Sequence, residues 1–221
     1  PWFGAHASEK NFPAHGFART SLWQVINTKV LSAAATEITF ELQTKQLAKS
    51  IQQMWPWPTH VKYRLTIAKT LKLELITTNQ SDKTITLGQA THTYFTVDDV
   101  TQTTVTGLDD KTYLDKPDGF KRKIQSGPIR FDSEVDRIYL NTTEDVTIDD
   151  QKRKIHISKQ GSQSTVVWNP GHEGALKMGD LGCNGYLKML CVESANAAED
   201  TVRLPPGESH RLQVCYEIET L

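Results

Sequence analysis

A repeated alternation of apolar and polar residues, with a period of two, constrains the fold of this chain most strongly. It is clearest in Val61–Ile67, Leu71–Leu75 and Leu212–Ile218, where every second side chain is apolar. This is the pattern of a strand with one buried face. Further segments rich in Thr, Val, Ile and Tyr are separated by turn residues and predict strands at Trp23–Val30, Glu37–Leu42, Thr84–Phe95, Thr101–Thr106, Val135–Asn141, Arg153–Ser158 and Ser164–Trp168.

Helical patterns are rare in this sequence. Thr44 can cap a short helix whose apolar residues in Leu47–Met54 share one face, and Pro56 ends it. A second helical turn is predicted around Ala175–Leu181. Many strands with almost no helix predict an all-β sandwich or barrel with large antiparallel sheets. Because no linker, repeat or low-complexity segment divides the chain, we expect one domain over residues 1–221.

Composition and charge exclude several classes of protein. The 25 lysines and arginines nearly balance 26 acids, whereas nucleic-acid binders need a concentrated basic surface. No apolar run approaches the length of about 20 residues that spans a bilayer, and no signal-peptide pattern is present. Three cysteines, an odd number, do not predict a disulfide framework. These features predict a cytoplasmic protein that binds neither nucleic acid nor membrane.

Glu193 is the most informative candidate for a functional residue. It follows the run Leu187–Val192, which is apolar apart from Lys188 and predicts a buried strand. A buried carboxylate costs several kcal/mol unless it is paired or hydrogen-bonded, and burial raises its pKa toward that of a useful base. The alternatives are a glutamate on the exposed face of an edge strand and a structural ion pair.

The other candidates are less specific when taken alone. His92 lies at the end of a predicted long strand, where a histidine is more often structural than catalytic. Arg19 can be a surface cation, and Asp136 with Arg137 can form ordinary ion pairs. The seven histidines show none of the close spacings of a zinc site, so we predict no metal. We interpret the basic cluster Lys121-Arg-Lys123 as a solvated turn.

The combination of motifs is more specific than its parts. The informative motifs are, in order, His15-Gly-Phe-Ala-Arg-Thr-Ser-Leu-Trp23, His92-Thr-Tyr-Phe95, Asp136-Arg-Ile-Tyr139, Val167-Trp-Asn-Pro170, Asp180-Leu-Gly182, Cys191-Val-Glu-Ser-Ala-Asn196 and Leu204-Pro-Pro-Gly-Glu208. With these motifs the sequence resembles the hexose-6-phosphate mutarotases of the aldose 1-epimerase superfamily along nearly its whole length.

The resemblance implies a galactose-mutarotase-like β-supersandwich that interconverts the anomers of a hexose 6-phosphate, without metal or organic cofactor. It places the general acid at His92 and the general base at Glu193. Asp136 matches an acceptor for a sugar hydroxyl, and Arg19 matches a phosphate-binding arginine. His15 lies where the superfamily has a second substrate-contacting histidine. We expect the protein to act as a monomer.

Two departures and three alternatives accompany this interpretation. Family members usually carry a further segment before Pro1, with another phosphate-binding arginine, so we expect that the chain lacks an N-terminal part of the full-length protein. Ala14 stands where some relatives have a ligand-binding glutamine. The alternatives are a mutarotase for free aldoses, a non-catalytic sugar-phosphate-binding module and, more distantly, a polysaccharide lyase on a related sandwich.

Overall fold

The computed structural model describes residues 1–220 and consists mainly of antiparallel strands. The described residues form 17 strands, two α-helices and five short 3₁₀ turns. The strands are β1 (Gln24–Ser32), β2 (Ala35–Gln43), β3 (Thr59–Ile67), β4 (Leu71–Asn79), β5 (Ile85–Leu87), β6 (Gln89–Thr91), β7 (Tyr94–Thr96), β8 (Thr104–Thr106), β9 (Thr112–Asp115), β10 (Lys121–Ile124), β11 (Val135–Leu140), β12 (Val146–Asp149), β13 (Arg153–Gln160), β14 (Ser164–Asn169), β15 (Met189–Asn196), β16 (Val202–Leu204) and β17 (Ser209–Thr220).

The helical elements are short. The helices are α1 (Lys49–Met54) and α2 (Gly171–Lys177), and the 3₁₀ turns are Ala18–Thr20, Thr44–Gln46, Val100–Gln102, Gly185–Lys188 and Ala198–Asp200. Within residues 1–220 neither helix has the length and apolar character that a membrane span needs.

The predicted cap of α1 is wrong. Ala48 occupies the N-cap position and makes no side-chain cap. Thr44 instead accepts a hydrogen bond from the backbone N–H of Thr59 at 2.8 Å. It lies in the 3₁₀ turn that precedes the helix, so its hydroxyl connects this turn to β3.

Contacts divide the chain into two compact units, and the first contains residues Pro1–Ala90 and Asn196–Cys215. Its strands β1, β2, β3 and β4 pair antiparallel in sequence order. The alternation read in the sequence follows from this pairing, since facing residues such as Tyr63 and Leu75 share one face of the sheet. A core cluster of this unit contains Phe17, Trp55, Ile85 and Leu204.

The second unit contains Thr91–Ala195 and the residues from Tyr216 onward. One of its sheets has the order β10-β9-β11-β14-β15, and β7 pairs with the other edge of β15. Strand β12 pairs with β8 and β13 in a second group. The buried side chains include Tyr139, Ile148 and Leu190. The single domain expected from the sequence stays a prediction.

Strand β15 lies inside the sheet of the second unit, between β14 and β7. All eight of its residues are buried. Such complete burial explains the continuous apolar run at its start, because a strand covered on both faces needs no alternation. Glu193 lies in this strand as its one charged residue.

Candidate active site

Strand register gathers the candidate residues on one face of the sheet in the second unit. Asp136 faces Trp168, Trp168 faces Cys191, and Cys191 faces Tyr94 on the next strand. Residues that face each other across antiparallel strands project to the same side of a sheet. Glu193 lies two residues beyond Cys191 and therefore shares that side. A row of four side chains across β11, β14, β15 and β7 thus borders the buried carboxylate.

Glu193 is almost completely buried, and among residues 1–220 it makes no ion pair with a lysine or an arginine. The residue is 1% exposed. Its Oε1 lies 3.4 Å from Nδ1 of His92, and its Oε2 has no hydrogen-bond partner among residues 1–220. Burial, and secondly the negative charge of Asp136, raise the pKa of Glu193 to about 8. The carboxylate is therefore a stronger base than an exposed glutamate.

His92 lies between two short strands rather than at the end of a long one. The predicted strand Thr84–Phe95 is wrong as one element, because it is divided into β5, β6 and β7. The break leaves the side chain of His92 29% exposed, whereas that of Glu193 is 2% exposed. Its ring stacks on Tyr94 at 5.1 Å and 10°, and contacts Trp168 edge-on at 5.9 Å. The aromatic rings restrict the orientation of the imidazole.

A hydroxyl pair anchors the segment that carries His92. Thr93 and Tyr216 share a hydrogen bond of 2.6 Å between their hydroxyls. Phe95 packs edge-on against Tyr216, with ring centroids 5.3 Å apart. These contacts hold Thr93 and Phe95, which follow His92 in the chain, against Tyr216 and so restrict the position of the imidazole.

Asp136 is bound to a lysine that the sequence argument did not single out. Nζ of Lys116 lies 2.5 Å from Oδ2 of Asp136. The backbone N–H of Lys116 also donates to the carbonyl oxygen of Asp136 at 3.0 Å. The aspartate side chain is 12% exposed and the lysine side chain 50% exposed. A half-exposed positive charge therefore lies next to Asp136.

His92, Cys191 and Glu193 also form a group of possible metal ligands, with one ligand atom from each within 4.8 Å of the others. Nitrogen, sulfur and oxygen ligands of this kind suit zinc. The thiolate is the form of cysteine that binds metal, but burial raises the pKa of the Cys191 thiol. The donor set is therefore a poor fit for a metal ion, and we assign none to it.

Arg19 and His15 belong to the first unit. Arg19 is exposed in the 3₁₀ turn Ala18–Thr20, and its Nη2 donates to the carbonyl oxygen of Ala14 at 3.1 Å. His15 has a positive φ of 63°, and its Nδ1 accepts a hydrogen bond from Gly4 N–H at 3.3 Å. The structure brings together His92, Glu193 and Asp136, and the roles of Arg19 and His15 stay predictions.

Other sequence interpretations differ from the structure. Lys121-Arg-Lys123 is not a solvated turn, because these residues belong to β10, which pairs with β9. Nζ of Lys123 lies 2.5 Å from Oδ2 of Asp115 on that partner strand. The short strand β9 was missed, and with it the position of Lys116 beside Asp136. The sequence signal available was the turn Pro117-Asp-Gly119, which joins β9 to β10.

The chain matches a family model over almost its entire length. The model described as Aldose 1-epimerase matches residues 1–217. All of the residues discussed above lie inside the matched range.

Two relatives agree with this match. A candidate glucose-6-phosphate 1-epimerase of Escherichia coli (strain K12) is 33% identical over 202 residues, covering 90% of this chain. A protein of the same description from Cenchrus ciliaris is 34% identical over 224 residues, covering 96% of this chain. The chain spans 65% of the length of each of these two relatives.

Solved structures confirm the predicted fold class. A candidate mutarotase from Salmonella typhimurium superimposes with a TM-score of 0.90 at 28% identity, covering 100% of this chain and 72% of that one. A galactose mutarotase-like protein from Clostridium acetobutylicum, at 15% identity, has a TM-score of 0.75 over 94% of this chain and 69% of its own. The all-β, galactose-mutarotase-like architecture is therefore established.

Proposed function

Because the chain belongs to the aldose 1-epimerase family, we propose that it interconverts the α and β anomers of a hexose 6-phosphate, with glucose 6-phosphate as the leading substrate. The observation that carries the proposal is the buried carboxylate of Glu193, 3.4 Å from the partly exposed imidazole of His92. Anomer exchange requires a base and an acid that act on two oxygens attached to the same carbon. Two adjacent groups of opposite function suit that requirement.

The proposed reaction begins when the Glu193 carboxylate takes the proton of the C1 hydroxyl. The C1–O bond of the ring breaks, and His92 as imidazolium gives its proton to the departing ring oxygen. The product of this step is the open-chain aldehyde. Glu193 has gained one proton, and His92 has lost one to the former ring oxygen. Rotation about C1–C2 presents the other aldehyde face, and ring closure reverses both transfers, which restores the enzyme.

The raised pKa of Glu193 favours the first transfer. A pKa of about 8 makes the carboxylate a stronger base, while roughly a tenth of the molecules remain ionised at pH 7. General acid–base catalysis is most efficient when the pKa lies near the working pH. Each such transfer contributes typically about 10²–10⁴-fold to the rate.

Asp136 and Arg19 are the proposed substrate-binding groups. In our proposal Asp136 accepts a hydrogen bond from a sugar hydroxyl through Oδ1, since Oδ2 is engaged by Lys116. The guanidinium of Arg19 binds the phosphate, because its planar fork donates two parallel charge-assisted hydrogen bonds. His15 makes a further contact with the substrate in this proposal.

The proposed setting is a monomer in the cytoplasm. The three cysteines are all free, although Cys191 is buried and Cys183 is exposed. Free thiols are typical of reducing compartments. The nearly balanced charge supports a small-molecule substrate rather than a nucleic acid, with 25 basic and 26 acidic side chains.

The test is two-dimensional exchange NMR of equilibrated glucose 6-phosphate with and without the purified protein. We expect faster exchange between anomers, lost in His92→Ala and in Glu193→Ala. His172→Ala and Glu173→Ala provide a matched control, since this exposed pair lies in α2 of the same unit and must leave the rate unchanged. Binding of glucose 6-phosphate without acceleration would overturn the enzyme proposal in favour of a sugar-phosphate-binding module.

The phosphate requirement is tested by Arg19→Ala. We expect this variant to raise KM for glucose 6-phosphate and to leave the exchange of free glucose unchanged. Equal effects on both sugars would contradict phosphate binding by Arg19. Equal rates for both sugars in the unmodified protein would indicate a mutarotase for free aldoses.

A further inference from the structure

We propose that Lys116 is a positioning residue for the reaction, which acts on the base Glu193 through its ion pair with Asp136. The inference rests on the proposed function, because it concerns how the proposed base is controlled. Neither the sequence motifs nor the family match singles out Lys116. Lys116 contacts the aspartate whose charge acts on Glu193, so its role extends beyond holding the strands together.

Backbone geometry fixes Lys116 on the catalytic face of the sheet. Asp115, the last residue of β9, faces Arg137 of β11. Lys116 and Asp136 are the next positions along the two strands and therefore project to the opposite face, where Glu193 lies. The backbone hydrogen bond between Lys116 N–H and the carbonyl oxygen of Asp136 continues the strand pairing to this point.

The side-chain contact holds the aspartate as a charged group. Nζ of Lys116 and Oδ2 of Asp136 are 2.5 Å apart, a separation typical of a strong charge-assisted hydrogen bond. Half of the lysine side chain is exposed, and its charge therefore remains hydrated. Asp136 is largely buried, and without Lys116 its carboxylate would lose its nearest cation.

The two members of the pair act on Glu193 in opposite directions. The negative charge of Asp136 raises the pKa of Glu193, and the positive charge of Lys116 lowers it. Burial has the largest effect on this pKa; Asp136 adds to it, and Lys116 opposes it. Other titratable groups that interact with Glu193 are His92 before β7, Cys191 in β15 and Tyr216 in β17, and Tyr94 of β7 stacks on His92.

A second lysine–aspartate pair in the same sheet provides a matched control. Lys123 of β10 contacts Asp115 of β9, again at 2.5 Å, with side-chain exposures of 39% and 14%. Asp115 shares its face with Arg137, opposite to the face of Asp136. The two pairs have the same length and similar burial, but the second does not face Glu193. A purely structural role predicts similar effects for both.

The experiment compares the pH dependence of kcat/KM for glucose 6-phosphate in the unmodified protein and its variants. Lys116→Met removes a positive charge that favours the ionised form of Glu193. The acidic limb of the kcat/KM profile should therefore move to higher pH by at least about half a unit. Asp136→Asn removes a negative charge that disfavours the ionised form of Glu193, so the acidic limb should move to lower pH. Lys116→Arg should restore the original profile, and Lys123→Met should leave it unmoved.

A measurement without substrate separates this inference from the proposed function. The ¹³C shift of the Glu193 carboxyl, labelled in the protein, is titrated in the same variants, with assignment by its loss in Glu193→Gln. We expect the Glu193 carboxyl to titrate at higher pH in Lys116→Met and at lower pH in Asp136→Asn than in the unmodified protein. If the protein does not accelerate anomer exchange, the proposed function fails, and the titration still tests Lys116.

Three results would overturn the inference. The first is a titration of Glu193 in Lys116→Met that matches that of Lys123→Met. The second is a movement of the Glu193 titration in one direction for both Lys116→Met and Asp136→Asn. The third is a Glu193 titration in Lys116→Arg that differs from that of the unmodified protein. Lys116→Gln replaces Lys116→Met if the latter does not fold, since it keeps a polar side chain of similar reach.

Discussion

Two glutamates of this protein are equally buried on strands but have opposite surroundings. Glu74 in β4 of the first unit is 2% exposed, and Glu193 in β15 of the second is 1% exposed. Glu74 is within 3.4 Å of three cations, Arg64, Lys72 and Arg211. Charged partners therefore balance its carboxylate, as expected for a buried acid that serves structure.

Among residues 1–220, Glu193 makes no ion pair with a lysine or an arginine. A histidine lies 3.4 Å from its carboxylate, and the nearby Asp136 has the same charge as Glu193 itself. Burial alone therefore does not mark a functional acid. The charge of the neighbouring groups decides whether a buried carboxylate stabilises the fold or is available to take a proton.

Substitution of the two glutamates should differ most in its effect on catalysis. Glu193→Gln keeps the shape of the side chain but cannot take a proton, so we expect the anomer exchange rate to fall by about 10²–10⁴-fold. Glu74→Gln, compared at equal concentration of folded protein, should keep the rate of the unmodified protein. Exchange NMR on glucose 6-phosphate measures both. Comparable losses in the two variants would remove the distinction between the glutamates.

The second effect is on the pH dependence of stability. Burial and Asp136 raise the pKa of Glu193 from 4.5 to about 8 in the folded protein, so the folded state binds this proton more tightly than the unfolded chain. The resulting stabilisation is fully present below pH 4.5 and is lost as the pH rises to 8. Between these limits, the difference in unfolding free energy between the unmodified protein and Glu193→Gln should fall by up to about 1.4 kcal/mol per pH unit.

Urea unfolding at pH 5, 6, 7 and 8 measures this slope. Circular dichroism follows the transition, and equal m-values for the two proteins justify the comparison. A difference that stays constant over this range would mean that Glu193 has an ordinary pKa in the folded state.

The third effect is on the stability contributed by the other glutamate. Glu74→Gln removes the charged acceptor of three cations, and we expect a loss of about 1–3 kcal/mol in the free energy of unfolding. The matched control is Glu193→Gln at pH 5, where the native carboxyl is protonated and the change is nearly isosteric. A larger loss in the control than in Glu74→Gln would reverse the assignment of roles.

The smallest effect concerns the redundancy around Glu74. Arg211 is 54% exposed and lies 3.4 Å from Oε1, while Arg64 and Lys72 contact Oε2. Arg211→Ala should therefore cost less than about 1 kcal/mol, as is typical of exposed ion pairs. Thermal unfolding beside Arg64→Ala and the double variant tests this. A loss for Arg211→Ala alone that matches Glu74→Gln would show that one cation carries the stabilisation.

The sequence predicted the strands with a strong alternation and missed those without one. Val61–Ile67 lies within β3, which pairs with a strand on each side. Its alternate residues therefore pack against facing residues on the same side of the sheet, which gives the period of two. The β9–β10 hairpin has short strands rich in charged residues, and its lysines resembled a solvated turn. Short strands are stabilised by their partners more than by their own composition, so local patterns do not reveal them.

The candidate site was predictable as a set of residue types but not as a geometry. Burial of Glu193 followed from the apolar run before it, because a strand of this composition belongs inside a sheet. The contact between Lys116 and Asp136 joins residues 20 positions apart and depends on the register of β9 against β11. Register is a property of the assembled sheet, and a single sequence does not specify it locally.

The aromatic neighbour of His92 gives the site an intrinsic optical signal. Trp168 is the one tryptophan of the second unit, since the other four of the chain precede residue 58 and lie in the first. Its indole meets the edge of the imidazole at 5.9 Å. Protonated histidines quench a neighbouring indole more strongly than neutral ones, so the emission of Trp168 reports the charge on His92. In a variant with phenylalanine at the other four tryptophans, fluorescence would follow the proposed acid through its titration without a label.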